Sequence, residues 1–281
     1  LGIIATVCPP PGDLSASARQ SLFMAPRHHR EWASAFKAQA QSLASEANAQ
    51  RVFDDIQTAP MARYRRDTSL HIQHWNEAKV GKREEQFASK YAGKLPVVAQ
   101  TQRAYVMMLN KFRADSFDSI VQTWPETART PQRIEKLARY INAATGRGRI
   151  PEGAQGWASV LNATFFSPRF MLSIPQRHLA ALTTDPYIRN EVLKDIGAFY
   201  GSGLTLVGLA YMGSKAGILP VDVEVDRRSS DFGKIRVGNT RIDPWGGHQQ
   251  FAVLLGRIAS GDLINGQAQV KSTASGEVYN K

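Results

Sequence analysis

The chain has 281 residues, 43% of them hydrophobic and 21% charged, enough for one large domain or two small ones around a buried core. Lysine and arginine outnumber aspartate and glutamate by 35 to 24, and the resulting net charge of +11 favours polyanionic partners such as nucleic acid, anionic lipid or an acidic protein surface. The single cysteine, Cys8, excludes an intrachain disulfide framework and a cysteine-rich zinc site, so stability has to come from packing. The chain starts at Leu1 and shows no basic segment followed by an apolar one and a cleavage site, so it is expected to be a segment or processed product of a larger polypeptide.

Residues 1–28 carry Pro9, Pro10, Pro11 and Gly12 and few apolar side chains after Ile4, which predicts an extended N-terminal arm. Residues 29–94 form a helical, basic segment. Trp32, Phe36 and Leu43 mark an amphipathic helix, Val52, Phe53 and Ile56 continue or follow it as far as Pro60, and Arg63, Arg65, Arg66, Lys79, Lys82 and Arg83 then accumulate in a linker or solvated surface. Residues 95–265 are predicted to be a helical domain. Pro96 suits a first helical turn, and Tyr105, Met108, Leu109 and Phe112, then Phe117, Ile120, Val121 and Trp124, give one long helix to about Thr123. Thr130 and Pro131 read as an N-cap and first position, Ile134, Leu137, Ala138 and Ile141 as the buried stripe, and Gly146 as the stop. Arg147, Gly148 and Arg149 make a basic loop, with short helices expected around Trp157 to Phe165 and Pro175 to Leu182.

Asp185 and Pro186 open the next helix, whose second half, Ile196 to Gly213, contains no charge. Eighteen helical residues span about 27 Å, just short of the roughly 30 Å hydrocarbon layer, so the run fits the lower limit of a membrane span. Gly197 and Gly201, with Gly208 beyond, give a small-residue face suited to close helix association. The preferred reading is a buried core helix, because Ser202, Thr205 and the glycines lower its hydrophobicity. Next come Val221, Val223 and Val225 in an edge-strand pattern and a hairpin whose Gly238-Asn239 turn pairs Val237 with Thr240 and Ile235 with Ile242. That register sets Arg236 opposite Arg241, on a face that is plain surface or a phosphate contact, while the other face seeks a core. Trp245, between Pro244 and Gly246, is expected to anchor the 221–243 ribbon to the helix marked by Phe251, Leu254, Leu255 and Ile258; residues 266–281 read as a polar tail or linker. The fold class is therefore mainly α, a helical bundle with a small antiparallel β-hairpin or three-stranded ribbon near the C-terminus.

Catalytic and cofactor patterns are sparse. His71 and His74, and the cluster of His28, His29 and Glu31, lack the further ligands that a metal site needs. Gly201, Gly203 and Gly208 miss the dinucleotide fingerprint because Leu206 takes the third glycine's place. Glu84 and Glu85 are adjacent and point to different sides of a helix, and Ser167 before Pro168 and Arg169 lacks a nucleophile elbow and reads as a helix cap. Arginines beside aromatic or flexible segments are the remaining candidates: Arg63, Arg65, Arg66, Arg147, Arg149, Arg236 and Arg241, together with Arg227 and Arg228, could track a phosphate backbone without reading sequence.

The string from Phe232 to Ile258, FGKIRVGNTRIDPWGGHQQFAVLLGRI, resembles a segment near the C-termini of very large bacteriophage proteins, the polyvalent or virion-packaged proteins that some phages eject into the host with their DNA. RAYVMMLNKFRADSFD (103–118), YINAATGRG (140–148) and LNATFFSPRF (161–170) resemble the same family in the same order, so the likeness covers about residues 90–261. It implies a non-enzymatic module without a cofactor, housed in the capsid or tail and then in the host envelope or cytoplasm. Expected partners are copies of itself and other ejection proteins, with the host membrane and DNA as further candidates. The alternatives are a sequence-independent DNA-binding module, or an accessory domain of a larger injected enzyme.

Overall fold

A computed structural model describes residues 14–76, 96–150, 168–226, 229, 231–260, 262–264, 269–272 and 278–280. The chain is mainly helical, with a small three-stranded antiparallel sheet near the C-terminus. It divides into two compact units, Leu1–Ile196 and Gly197–Lys281, a division that falls inside the stretch expected to be one domain.

In the first unit, helix α5 (Pro96–Gln122) is central and packs against α1 (Ser15–Ser21), α2 (His29–Ala44), α3 (Glu46–Thr58) and α6 (Pro131–Ala144). Its apolar side chains point in several directions: Tyr105, Met108, Phe112, Phe117, Ile120 and Val121 are all buried, as a helix surrounded by others requires. A helix enclosed in this way must also satisfy every polar group it carries. Arg103 does so by donating to the carbonyls of Ser42 (2.7 Å) and Leu43 (3.3 Å) in the last turn of α2. Asn110 donates to the Gln73 carbonyl at 2.7 Å, and Arg113 donates to the Thr145 hydroxyl (2.8 Å) and carbonyl (3.3 Å) at the end of α6.

The predicted helix starts hold. The Thr130 hydroxyl accepts from the Arg133 N–H with Pro131 at the first helical position, and Gly146 closes α6 in the left-handed region at φ +81°. Asp185 caps α8 (Pro186–Lys215) by accepting from the Tyr187 N–H at 3.1 Å, and it receives Arg133 Nε at 3.1 Å. Helix α7 (Pro168–Leu179) begins at the proline after Ser167 and carries Pro175 inside it. The helix expected at 157–165, and the basic and acidic residues of 79–85, lie outside the described residues.

The extended N-terminal arm needs correction over its second half. Residues Ser15–Ser21 are helical, and Phe23 and Met24 are fully buried. The segment has no strong periodicity of its own; it is held by tertiary bonds, with Gln39 Nε2 donating to the Ser17 hydroxyl (2.8 Å) and the Tyr105 hydroxyl donating to Gln20 (2.8 Å). The short helix α4 (Ala62–Arg65) completes this unit.

In the second unit, β1 (Asp222–Val223), β2 (Ile235–Val237) and β3 (Thr240–Ile242) form the antiparallel sheet. Its register is the predicted one: Ile235 opposite Ile242, Arg236 opposite Arg241 and Val237 opposite Thr240, turning through Gly238 at φ +58°. Contrary to expectation, neither face enters a core, since Val237 is 41% and Ile242 48% exposed. The anchor is Trp245, which is fully buried. The Asp243 carboxylate shapes its turn by accepting the N–H groups of Trp245 (2.8 Å) and Gly247 (2.6 Å). The indole lies so close to Gly203 of α8 that a Cβ there would sit 2.0 Å from Nε1, and a Cβ on Gly233 would sit 2.6 Å from the ring. Helix α9 (Gln249–Ser260) and β4 (Asp262–Ile264) follow, and the expected polar tail holds β5 (Gln269–Ser272) and β6 (Val278–Asn280), which complete a second antiparallel sheet with β4.

Two glycines on opposite sides of α8 are expected to respond oppositely. Gly203→Ala gains about 1 kcal/mol of helix propensity but drives a methyl group into a buried indole, so a net loss of about 2 kcal/mol is expected. Gly201 has open space at its Cβ, and Gly201→Ala raises stability by about 0.5–1 kcal/mol. Urea midpoints at low protein concentration read both signs. A second test concerns Asp118, whose carboxyl burial pushes up from 3.8 to about 6 although Arg65 pulls the other way. The folded chain then holds this proton more tightly than the unfolded chain, and stability from this group falls as pH rises from about 4 through about 6. Asp118→Asn removes that titration, so its melting temperature varies less than the wild type's over this interval; parallel curves would refute the assignment.

Candidate functional site

The seven candidate arginines do not form one surface. Arg63 and Arg66 are exposed, and the Arg63 guanidinium lies over the Tyr64 ring at 4.8 Å. Arg65 is no phosphate contact. It is 6% exposed, donates to the Ile56 carbonyl at 2.6 Å near the end of α3, and lies 3.2 Å from Asp118. In the second unit, Arg236 donates to the Gly238 carbonyl at 3.0 Å, while Arg241 pairs with Asp231 at 2.8 Å, which relieves the repulsion between the two facing guanidiniums. Arg227 and Arg228 lie outside the described residues.

Arg147 and Arg149 are brought together, on the rim of a cavity of about 780 Å3 in the first unit. Lys136 and Arg139 of α6 and Arg169 of α7 join them, and Tyr140, His71 and Gln176 also line the space. The loop is built tightly. Arg147 N–H donates to the Asn142 carbonyl (2.8 Å), and Gly148 N–H donates to the Arg169 carbonyl (2.9 Å). A Cβ on Gly148 would lie 2.5 Å from the Ser173 nitrogen, so only glycine allows backbone to rest on α7 here. The Gln176 amide then brackets Arg149, accepting from its N–H at 2.7 Å and donating to its carbonyl at 2.6 Å. Among the described residues, Glu135 is the lining carboxylate. Burial would raise its pKa, but the Ser69 N–H at 2.8 Å and Arg139 Nε at 2.6 Å prevail and keep it low, so it stays ionised and already engaged. Burial lowers the Arg169 pKa without approaching neutrality. The apolar stripe of α6 masks Lys136 and Arg139, which sit one turn apart on its polar face and lead toward Arg147, and Arg169 joins them only through the packing of α7, which no local sequence pattern signals.

The second candidate surface is on α8. Its apolar run is long and apolar enough to cross a membrane, yet only 28% of that window is buried, so the buried-core reading does not hold. Phe199, Gly203, Val207 and Ala210 form the covered stripe, while Leu204, Leu206, Leu209 and Met212 are half exposed. At about 100° per residue, Gly197, Gly201 and Gly208 fall within roughly 40° of one another. A Cβ on any of the three would meet nothing within 4 Å.

A third feature, which sequence reasoning missed, is a buried ionic cluster at the start of α8. Glu191 and Asp195, one turn apart, are both buried, and the Arg27 guanidinium bonds both, reaching Asp195 at 2.9 Å. The Tyr140 hydroxyl donates to Asp195 at 2.7 Å, and His28 Nε2 lies 3.4 Å away. Burial, and then the Asp195 charge, push the Tyr140 pKa well above its usual value. Burial opposes the charge on Arg27, but the two carboxylates prevail and raise its pKa. Among the described residues, no group of three His, Cys, Asp or Glu side chains is placed to hold a metal ion. His74 stacks on Trp75 at 3.9 Å instead.

No protein family, curated protein or solved structure matches the chain.

The cluster has a direct test. Arg27→Met leaves two buried carboxylates with only the half-exposed Lys194, 3.3 Å from Glu191, as a lysine or arginine counter-charge, and a loss of about 3–5 kcal/mol is expected at neutral pH. Urea unfolding of both proteins at neutral pH measures this, and a loss below about 1 kcal/mol would show that the ionic contacts of Arg27 contribute little to stability.

Proposed function

We propose that this chain is a non-enzymatic assembly module of a phage virion protein, delivered into the host with the genome, and that it works by associating with a second copy of itself through the glycine face of α8. The uncovered apolar face of that helix carries the reading. Three glycines with open space above them let a partner backbone approach closely, and Leu204 and Met212 beside them supply apolar area that water would otherwise wet. From Ile196 to Gly213 the same face on two copies is self-complementary and free of charge, so a two-fold contact along this run forms without the repulsion that a +11 chain meets elsewhere on its surface.

Envelope insertion is the competing use of this helix. It requires lipid on all sides, whereas the opposite stripe holds the buried Trp245 against Gly203. Insertion would have to strip away that indole, so association between copies is favoured. The motif resemblance over residues 103–118, 140–148, 161–170 and 232–258 supports the virion setting.

Light scattering on the full chain reads the outcome. A dimer or larger defined oligomer is expected for the wild type, and a monomer with an unchanged helical spectrum for Gly201→Leu. A wild-type monomer, or a variant of unchanged mass, overturns the proposal. A monomer that floats with anionic vesicles transfers the face to lipid.

A further inference from the structure

Helix α4 turns Arg65 inward and leaves Arg63 and Arg66 exposed, with Tyr64 partly exposed beside them. Arg66 caps the helix in helical conformation, and side chains three apart on a helix are neighbours, so it continues the outer side that Arg63 begins. The fold then adds Arg129, from the connection between α5 and α6.

Two guanidiniums converge on one ring. Arg63 lies over the Tyr64 ring at 4.8 Å and donates to its hydroxyl at 3.1 Å, and Arg129 lies over the same ring at 5.7 Å. Arg129 is fixed from behind, because its Nε donates to the Trp124 carbonyl at 3.0 Å just past the end of α5. The Arg129 and Arg63 guanidiniums hold the Tyr64 hydroxyl below its usual pKa, against the desolvation that would raise it.

Negative charge is what these cations lack. Among the described residues, the groups bonded to Arg63 and Arg129 are neutral, the Tyr64 hydroxyl and ring and the Trp124 carbonyl, and Arg66 bonds nothing. Asp67 and Glu126, the acids nearest in sequence, form no ion pair with any of the three. Other arginines of this unit do find acids: Arg65 meets Asp118, Arg133 meets Asp185 and Arg139 meets Glu135. Two cations held against one ring without a counter-charge repel each other, and a shared anion relieves that cost.

We infer that Arg63, Arg66 and Arg129 seat the phosphodiester backbone of nucleic acid on the outer side of α4. Guanidinium forks match phosphate oxygens two at a time. The cluster lies on open surface, which suits an extended polyanion, whereas a small ligand needs a site that encloses it. Contact is through phosphate: the guanidiniums already engage the Tyr64 ring, which leaves bases no free stacking surface, and cationic forks alone read no base edge. Contact through α4 and association through α8 involve different elements, so either can fail alone.

Fluorescence anisotropy of the full chain with a fluorescein-labelled mixed-sequence duplex, and with one of its strands alone, tests this. Arg63→Gln/Arg66→Gln is expected to weaken duplex binding at least about fivefold and to flatten the slope of log K against log salt by about 1.8, as two phosphate contacts are lost. Arg129→Gln, on a different element, weakens it too and keeps the test open should the double variant misfold. Arg30→Gln/Lys37→Gln removes the same charge from exposed positions on α2 and is expected to change affinity by less than about twofold. The single strand is expected to bind no more tightly than the duplex, whose phosphates are denser. Absence of duplex binding, equal weakening by the cluster and control variants, or a tighter grip on the single strand overturns the inference. Phosphatidylglycerol vesicles that bind through these arginines where the duplex does not bind also overturn it and transfer the cluster to lipid headgroups.

Discussion

Arginines turned inward onto the carbonyls that helices leave unpaired at their C-terminal ends hold the first unit together. A helix ends with four carbonyls that lack intrahelical partners, and leaving one buried and unsatisfied costs about 1–3 kcal/mol. Here α2 ends on Arg103, α3 on Arg65 and α6 on Arg113, and each guanidinium reaches its carbonyl from a neighbouring element. One long side chain thereby does two things: it closes a helix, and it fixes the position of that helix relative to α5 or α4. Arg27 plays the corresponding part with carboxylates, tying the chain before α2 to the first turns of α8.

This use of arginine changes what the net charge means. A balance of +11 suggests a surface meant for polyanions, yet several of the cations contributing to it never meet solvent. Arg65 illustrates the problem: it sits in the run Arg63 to Arg66 that looks like one basic patch, and the helical turn sends it into the interior while Arg63 and Arg66 stay exposed. Position in a run carries no information about direction unless the turn and its packing are known. Charge that does collect outside collects in part where α6, α7 and one loop converge, and only Arg147 and Arg149 of that group could be picked out by eye.

Local chemistry explains which elements were legible. Pro96, the Thr130-Pro131 pair and the Asp185-Pro186 pair act through their own caps and fixed dihedrals, and Gly238-Asn239 sets the hairpin register within four residues of itself. Where tertiary contact decides, the sequence is silent. Ser15–Ser21 is helical because α2 and α5 receive it, and β5 and β6 are strands because they pair with each other, in a stretch whose composition resembles a linker. The exposure of α8 belongs to the same class: an apolar run tells that a face will be covered, and only the fold tells that this chain covers just one side of it. The two candidate surfaces therefore differ in kind, one a rigid cup of positive charge assembled from distant residues, the other a smooth uncharged stripe on a single helix.

Gly148 also restricts how the length of this region can vary. Its backbone rests on α7, where a Cβ would lie 2.5 Å from the Ser173 nitrogen, only while the count of residues between the Gly146 stop and the Gln176 clamp point on Arg149 is kept. One residue inserted there would turn a side chain into α7, even if every residue type were retained. Among homologous chains sharing this cavity, the loop should therefore be constant in length before it is constant in composition, with insertions displaced to connections such as that between β2 and β3, whose turn has open space around Gly238.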